Sequence, residues 1–183
     1  MTLARSLSLP LFAALLSLTA CATGPRIRVE AAPGADLASY KTYSFMEPFG
    51  TDRSGYGTPL SRYVKDAVRS QLDTRGYRYV DKDGELLVNA GAKVADKTSV
   101  STMPVSDPFF SYRYGRYRYW TGYREEVVVN QYTEGTLVID LVDRARGEMV
   151  WSGAAIGRVT AKVRENLGPA VTGAVNDIFA KLP

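Results

Sequence analysis

Thr136-Leu-Val-Ile-Asp-Leu-Val-Asp143 is the stretch on which the fold turns. Successive side chains of an extended chain point to opposite faces. Leu137, Ile139 and Leu141 therefore share one face, and Val138, Asp140 and Val142 the other. Arg144–Gly147 turns the chain, and Glu148–Val159 returns through Met149, Val150, Trp151 and Ile156. Trp151, inside the apolar run Met149–Trp151, reads as a core anchor. Upstream, Glu85–Val94 alternates in the same way, with Leu86, Val88, Ala90, Ala92 and Val94 on one face. Tyr40–Met46, Tyr77–Val80 and Glu125–Tyr132 also read as strands, whereas Asp96–Pro108 loses the pattern.

Two segments change period. In Leu60–Arg75 the residues Leu60, Val64, Ala67, Val68 and Leu72 fall at helical spacing, with charged residues mostly on the other side. Ser61 suits the N-cap and Gly76 the position just past the end. The Gly- and Pro-containing stretch Glu47–Pro59 before it reads as a loop. Pro169–Leu182 is a second amphipathic helix, with Pro169 in its first turn. The order of strand, helix, several strands and helix predicts an α+β two-layer sandwich, an antiparallel sheet with two helices packed on one face.

The N-terminus has a different character. Met1–Cys21 has one charge, Arg5, then an apolar run from Leu7 to Leu18, then the small residues Thr19 and Ala20 before Cys21. This is the layout of a secretory signal, and its run is shorter than the roughly 20 residues of a membrane span. Leu18-Thr19-Ala20-Cys21 resembles the bacterial lipobox, which implies a lipid on Cys21 and cleavage before it. Residues 1–20 are thus expected to be a lipoprotein signal peptide and residues 21–35 the lipidated cysteine with a short tether. Residues 36–183 are expected to form a single α+β domain, with an aromatic and Arg-rich insertion at about 104–124. Ala22, in place of aspartate, favours the outer membrane, periplasmic face, by analogy with the enterobacterial sorting rule. If Ile27–Glu30 is structured, the five residues Ala22–Arg26 reach about 17 Å. If order begins only near Tyr40, the reach is several times longer.

Composition narrows the chemistry. The chain has no histidine and one cysteine. With Cys21 lipidated, His- and Cys-based zinc sites, Ser-His-Asp or Cys-His catalysis and disulfides are excluded. What remains is carboxylate, Lys, Tyr or Ser-Lys chemistry. The net charge of +4 falls to +3 once Arg5 is removed, too little to demand an anionic partner. The covalent lipid on Cys21 is the only cofactor expected.

The most unusual stretch is Phe109–Tyr123. Phe109, Phe110, Tyr112, Tyr114, Tyr117, Tyr119, Trp120 and Tyr123 are interleaved with Arg113, Arg116 and Arg118. Tyrosine and arginine are enriched where proteins bind partners. Single-stranded nucleic acid would suit this pattern in a cytoplasmic protein, but an exported chain does not meet it. An envelope protein would, as would the sugar rings of peptidoglycan or lipopolysaccharide, stacked on the aromatics, or the phosphates of lipid A or phospholipid, paired with arginine. A structural hairpin whose tyrosines cover the sheet, or a loop, would use the same residues.

Other candidates are weaker. Asp140 and Asp143 point to opposite faces and are no catalytic pair; Asp143 opens the turn with Arg144, and Asp140 faces solvent or a base. Asp81-Lys82-Asp83-Gly84-Glu85 faintly resembles a calcium loop, lacks the downstream glutamate, and reads as a tight turn. Ser61 and Lys65 are spaced like a Ser-Lys pair but read as an N-cap and a solvated lysine.

Several stretches occur together in order: Asp36-Leu-Ala-Ser-Tyr-Lys-Thr-Tyr-Ser-Phe45, Gly76-Tyr77, Leu86-Leu-Val-Asn89, Gly135 through Asp143, Val150-Trp-Ser-Gly-Ala154, Ala174-Val175, Ile178-Phe179 and Pro183. From about residue 30 onward, apart from the aromatic stretch, this set resembles the bacterial lipoprotein family filed as domain of unknown function 4136. The resemblance implies an exported, usually lipid-anchored α+β domain. It implies no established activity and no site residues, and Glu85 stands where that family is expected to have aspartate. The expected function is a non-enzymatic binding or assembly module of the envelope. The alternative is a carboxylate-based envelope hydrolase acting on a glycan.

Overall fold

The computed structural model describes residues 24–106 and 123–183, with only the backbone at 104–106 and 123–125. Its strands are β1 (Arg26–Ala31), β2 (Thr42–Phe45), β3 (Arg78–Tyr79), β4 (Leu86–Ser106), β5 (Tyr123–Asp143) and β6 (Glu148–Arg158). Its helices are α1 (Pro59–Thr74), α2 (Ala161–Glu165) and α3 (Leu167–Phe179), and a single 3-10 turn, Leu37–Ser39, precedes β2. The strands form one mixed sheet in the order β1-β6-β5-β4-β2-β3. The chain is an α+β domain.

The alternation of Thr136–Asp143 has the expected consequence. Val88, Leu141 and Trp151 stand side by side across three strands, as do Ala90, Ile139 and Gly153. Leu86, Val88, Ala90, Leu137, Ile139, Leu141, Trp151 and Ala155 are all buried, whereas their chain neighbours Leu87, Asn89, Val138 and Asp140 are only partly so. A β-bulge between Leu141 and Val142 leaves Val150 without a partner of its own, which lets Val150 and Trp151 both turn inward. The same core cluster takes in Val64, Ala67, Val68 and Leu72 of α1 and Val171, Val175, Ile178 and Phe179 of α3. Trp151 and Phe179 meet with ring centroids 5.7 Å apart. The helices are joined directly: Gln71 Nε2 donates to Asn176 Oδ1 at 2.8 Å, and Arg75 Nη2 donates to the Phe179 carbonyl at 2.7 Å.

The sheet is not wholly antiparallel. β2 runs parallel to both β3 and β4. The first arises because α1 carries the chain back between β2 and β3, the crossover that parallel neighbours require. The second arises because Asp81–Glu85 is no hairpin turn. It crosses β2 from β3 on one side to β4 on the other, and Gly84 lies directly on the Tyr43–Ser44 backbone, where a Cβ would collide. Gly84 N donates to the buried Ser44 Oγ at 3.2 Å. Side-chain alternation carries no record of strand direction, so neither feature follows from periodicity.

Three further expectations change. The tether assigned to residues 21–35 contains β1, antiparallel to β6 from Arg26↔Ile156 to Ala31↔Trp151, so ordered structure begins before residue 36. The N-cap of α1 is Thr58, whose side chain accepts from Ser61 N, with Pro59 in the first helical position. Ser61 is instead buried one turn in, its Oγ 2.8 Å from Thr51 Oγ1 and 2.9 Å from Thr58 Oγ1. Finally, the short helix α2, capped by Thr160, precedes α3.

Candidate interaction surface

β4 and β5 are each 21 residues long and pair over their whole length in one unbroken register, from Leu86↔Asp143 to Ser106↔Tyr123. β6 accompanies β5 only from Glu134 to Asp143. Beyond Lys97↔Tyr132 the two strands therefore continue as a ribbon with no third strand among the described residues, roughly 30 Å long at about 3.3 Å per residue. The stretch Asp96–Pro108, which had lost its pattern in the sequence, supplies most of one strand.

The ribbon's base is braced. The Arg158 guanidinium lies 4.3 Å from the Tyr132 ring centroid. Thr133 Oγ1 donates to Asp96 Oδ1 at 3.0 Å, and Val159 N donates to the Thr133 carbonyl. Glu134 pairs with Arg26 at 3.6 Å and Lys97 at 4.0 Å. Above this base the two faces differ. By strict alternation Val94, Thr98, Val100 and Thr102 of β4 share a face with Val127, Val129 and Gln131 of β5, the face that carries the core in the body of the sheet. Lys97, Ser99, Ser101, Glu126, Asn130 and Tyr132 lie on the other, with Met103 and Val128. Val94, Val100, Val127 and Val129 are 64, 66, 61 and 57% exposed.

The far ends of the ribbon, Ser106 and Tyr123, are joined by residues 107–122. Phe109, Phe110, Tyr112, Arg113, Tyr114, Arg116, Tyr117, Arg118, Tyr119 and Trp120 lie outside the described residues, as does Cys21. Tyr123 opens β5, and only its backbone is described. The chain upstream of β1 leaves the fold at the base of this ribbon: Arg26 is level with Ile156, Thr136 and Lys93, and Pro25 packs beside Gly157.

The individually considered polar residues have structural partners. Asp140 accepts from Ser152 Oγ at 2.7 Å rather than meeting a base. Asp143 does open the turn, and its partner is Arg146: its carboxylate accepts from Arg146 N and Nε, both at 2.9 Å, and from Tyr40 OH at 2.8 Å. These bonds, the Arg146 main-chain one first, hold its pKa below the usual carboxylate range. Glu85 accepts from the main-chain N–H groups of Lys41 and Thr42, which lowers its pKa too and ties the start of β2 to β4. Lys65 stacks over Phe49 at 4.7 Å, while the Ser61 hydroxyl is turned to the two threonines and Asp52, so the pair is not arranged as nucleophile and base.

A shallow groove of about 350 Å³ lies between Ser44–Glu47, Asp81–Asp83, Leu87 and Arg144. A carboxylate-based hydrolase would have Glu47, Asp81 and Asp83 here, but Asp83 is engaged by Arg144. Among the described residues, no group of three or more Asp, Glu, His or Cys converges as a metal cage. No described helix is long and apolar enough to cross a membrane.

Comparison with known proteins places this architecture. A family model described as "Domain of unknown function (DUF4136)" matches residues 27–183. No curated protein matches the sequence. Among solved structures, a PDZ domain protein from Parabacteroides distasonis superposes with a TM-score of 0.59 at 12% identity, over 87% of this chain and 35% of that one. The chain thus spans about a third of that protein, and at this identity the likeness concerns the fold alone. A PelC dodecamer from Paraburkholderia phytofirmans matches 85% of this chain and 94% of its own, with a TM-score of 0.46 and 11% identity.

Proposed function

The chain belongs to the family described as Domain of unknown function (DUF4136), and from that premise we propose that it is a lipid-anchored, non-enzymatic binding or assembly module of the bacterial envelope. Its anchor is the lipid on Cys21, and its site of work is the periplasmic face of the outer membrane. Its sandwich is read as one helical layer, α1 with α3, over the sheet face that bears Leu86, Ile139 and Trp151.

The observation that carries this reading is the β4–β5 ribbon. It runs well past the strands that stabilise it and ends on the segment richest in aromatics and arginine. An isolated two-stranded ribbon is marginal in water, so its length is more readily explained by what it presents than by what it adds to the core. The partner is an envelope protein, or a glycan whose sugars stack on the rings and whose phosphates pair with Arg113, Arg116 and Arg118.

The test is cross-linking and capture from membranes, comparing the native chain with a Tyr117→Ala, Tyr119→Ala, Trp120→Ala variant. Loss of specific captured partners is expected, and an unchanged set would remove the segment from the binding site. In parallel, Cys21→Ser should abolish incorporation of a fatty-acid analogue and leave the precursor uncleaved. Normal processing of that variant would sink the anchor.

A further inference from the structure

We infer that the valine face of the β4–β5 ribbon lies on the lipid leaflet that holds the anchor, so that the protein meets the membrane at two places, Cys21 and the ribbon. This inference rests on the proposed anchor at Cys21, and three observations carry it.

The first is where the chain leaves the fold. β1 starts at the level of Ile156, Thr136 and Lys93 and runs away from the ribbon, so the residues before it emerge on the ribbon side. The Arg26–Glu134–Lys97 ion pairs fix that exit to the ribbon's base.

The second is length. Cys21 lies five residues before Arg26, a reach of at most about 17 Å when fully extended. The free ribbon is roughly 30 Å long at about 3.3 Å per residue. A ribbon nearly twice as long as the tether, leaving from the same end of the sheet, comes down on the bilayer to which the tether is fastened.

The third is the ribbon's two-sidedness. Val100 lies directly across from Val129, and Thr102 from Val127. These residues extend the core face of the sheet past the body, Val94 stands on the same face just before the ribbon begins, and all four valines are more than half exposed. Asp96, bonded to Thr133 at the base, is the one charge on that face between Val94 and Thr102 and between Val127 and Thr133. The opposite face carries Lys97, Glu126, Ser99, Ser101 and Asn130, which are suited to water, alongside Met103 and Val128.

The test uses the full lipoprotein. With Cys21 blocked by lipid, a cysteine introduced by Val100→Cys or Val129→Cys on one face, or Ser99→Cys or Asn130→Cys on the other, is the only free thiol. Each variant is labelled with an environment-sensitive fluorophore and returned to vesicles of phosphatidylethanolamine and phosphatidylglycerol, some carrying a nitroxide on the acyl chain. Labels at 100 and 129 should shift to the blue and be quenched by the nitroxide several-fold more than labels at 99 and 130. Equal quenching on both faces overturns the inference. So does a valine-face label shielded from a water-soluble quencher but blind to the lipid nitroxide, the signature of a second copy or another protein on that face. The mass of the Cys21 peptide separates the two claims. Unmodified Cys21 overturns the anchor, whereas lipidated Cys21 with lipid-blind valines overturns the ribbon contact alone.

Discussion

Gly84 shows how one residue can set the connectivity of a sheet. The chain can pass from β3 to β4 across β2 only if the crossing loop lies against the Tyr43–Ser44 main chain, and only a residue without a side chain fits there. Its left-handed neighbour Asp83 (φ 62°) bends the loop into place. Gly84→Ala should therefore force the loop off β2 and cost about 2–3 kcal/mol, at the upper end of overpacking. Gly91→Ala is the control, because nothing stands within 4 Å of a Cβ at that position. Denaturant melts of the two variants check this, and equal stability would mean that the crossing is looser than described. Read as sequence, Asp81-Lys82-Asp83-Gly84 is an ordinary turn, since Gly–Asp turn chemistry does not record what the glycine packs on. The Ser61 misreading is of the same kind. Two hydroxyl residues flank Pro59–Leu60, and the position of Pro59 as first helical residue was the signal that favoured Thr58.

At the scale of elements, legibility followed burial. The body strands have one dry face, so Leu86–Ala90 and Leu137–Leu141 announce themselves by alternation, β6 by its apolar run Met149–Trp151 after a turn, and α1 and α3 by helical period. The outer half of β4 has no dry face. Lys97, Thr98, Ser99, Val100 and Ser101 alternate only weakly, and their strand state comes from pairing with β5 rather than from their own pattern. β1 carried a readable period, Ile27 and Val29 against Arg26, Arg28 and Glu30, but its short length left it open. This difference in burial should appear as a difference in local stability. In lipid-free solution, the cross-strand bonded amides of Ser99–Thr102 and Val127–Asn130 should exchange through openings of about 1–2 kcal/mol, while those of Leu87–Ala90 and Val138–Leu141 should approach the global value of about 5–15 kcal/mol. Arg158→Ala, which removes the brace on Tyr132, should extend fast exchange toward Glu134. Uniform protection along both strands would show the ribbon and body to be one cooperative unit.

For the whole molecule, the start of β1 and the free β4–β5 ribbon lie at one end of the sheet, while polar locks hold the rest together. Asp143 fastens the β5–β6 turn to Tyr40 ahead of β2. Glu85 fastens β4 to the start of β2. Asp52, which accepts from Phe49 N at 3.1 Å, fastens the loop before α1. All three have lowered pKa values: through the Arg146 main chain and Tyr40 for Asp143, the Lys41 and Thr42 main chain for Glu85, and Ser61 for Asp52. A carboxylate whose pKa is lower folded than unfolded contributes stability that is present above its unfolded value, near pH 4, and is lost as pH falls through the folded value. The fold should therefore hold level stability through neutral pH and weaken progressively below about pH 4. With no histidine in the chain, no side chain of that type adds a transition near pH 6 to 7. Melting temperature against pH checks this, and Asp143→Asn should flatten the acid limb while lowering the neutral plateau, because the amide still accepts one bond but no longer attracts Arg146. An acid limb unchanged by that substitution would take Asp143 out of the set that governs it, leaving Glu85 and Asp52, and with them the start of β2 and the loop into α1, as the place where acid opens the molecule.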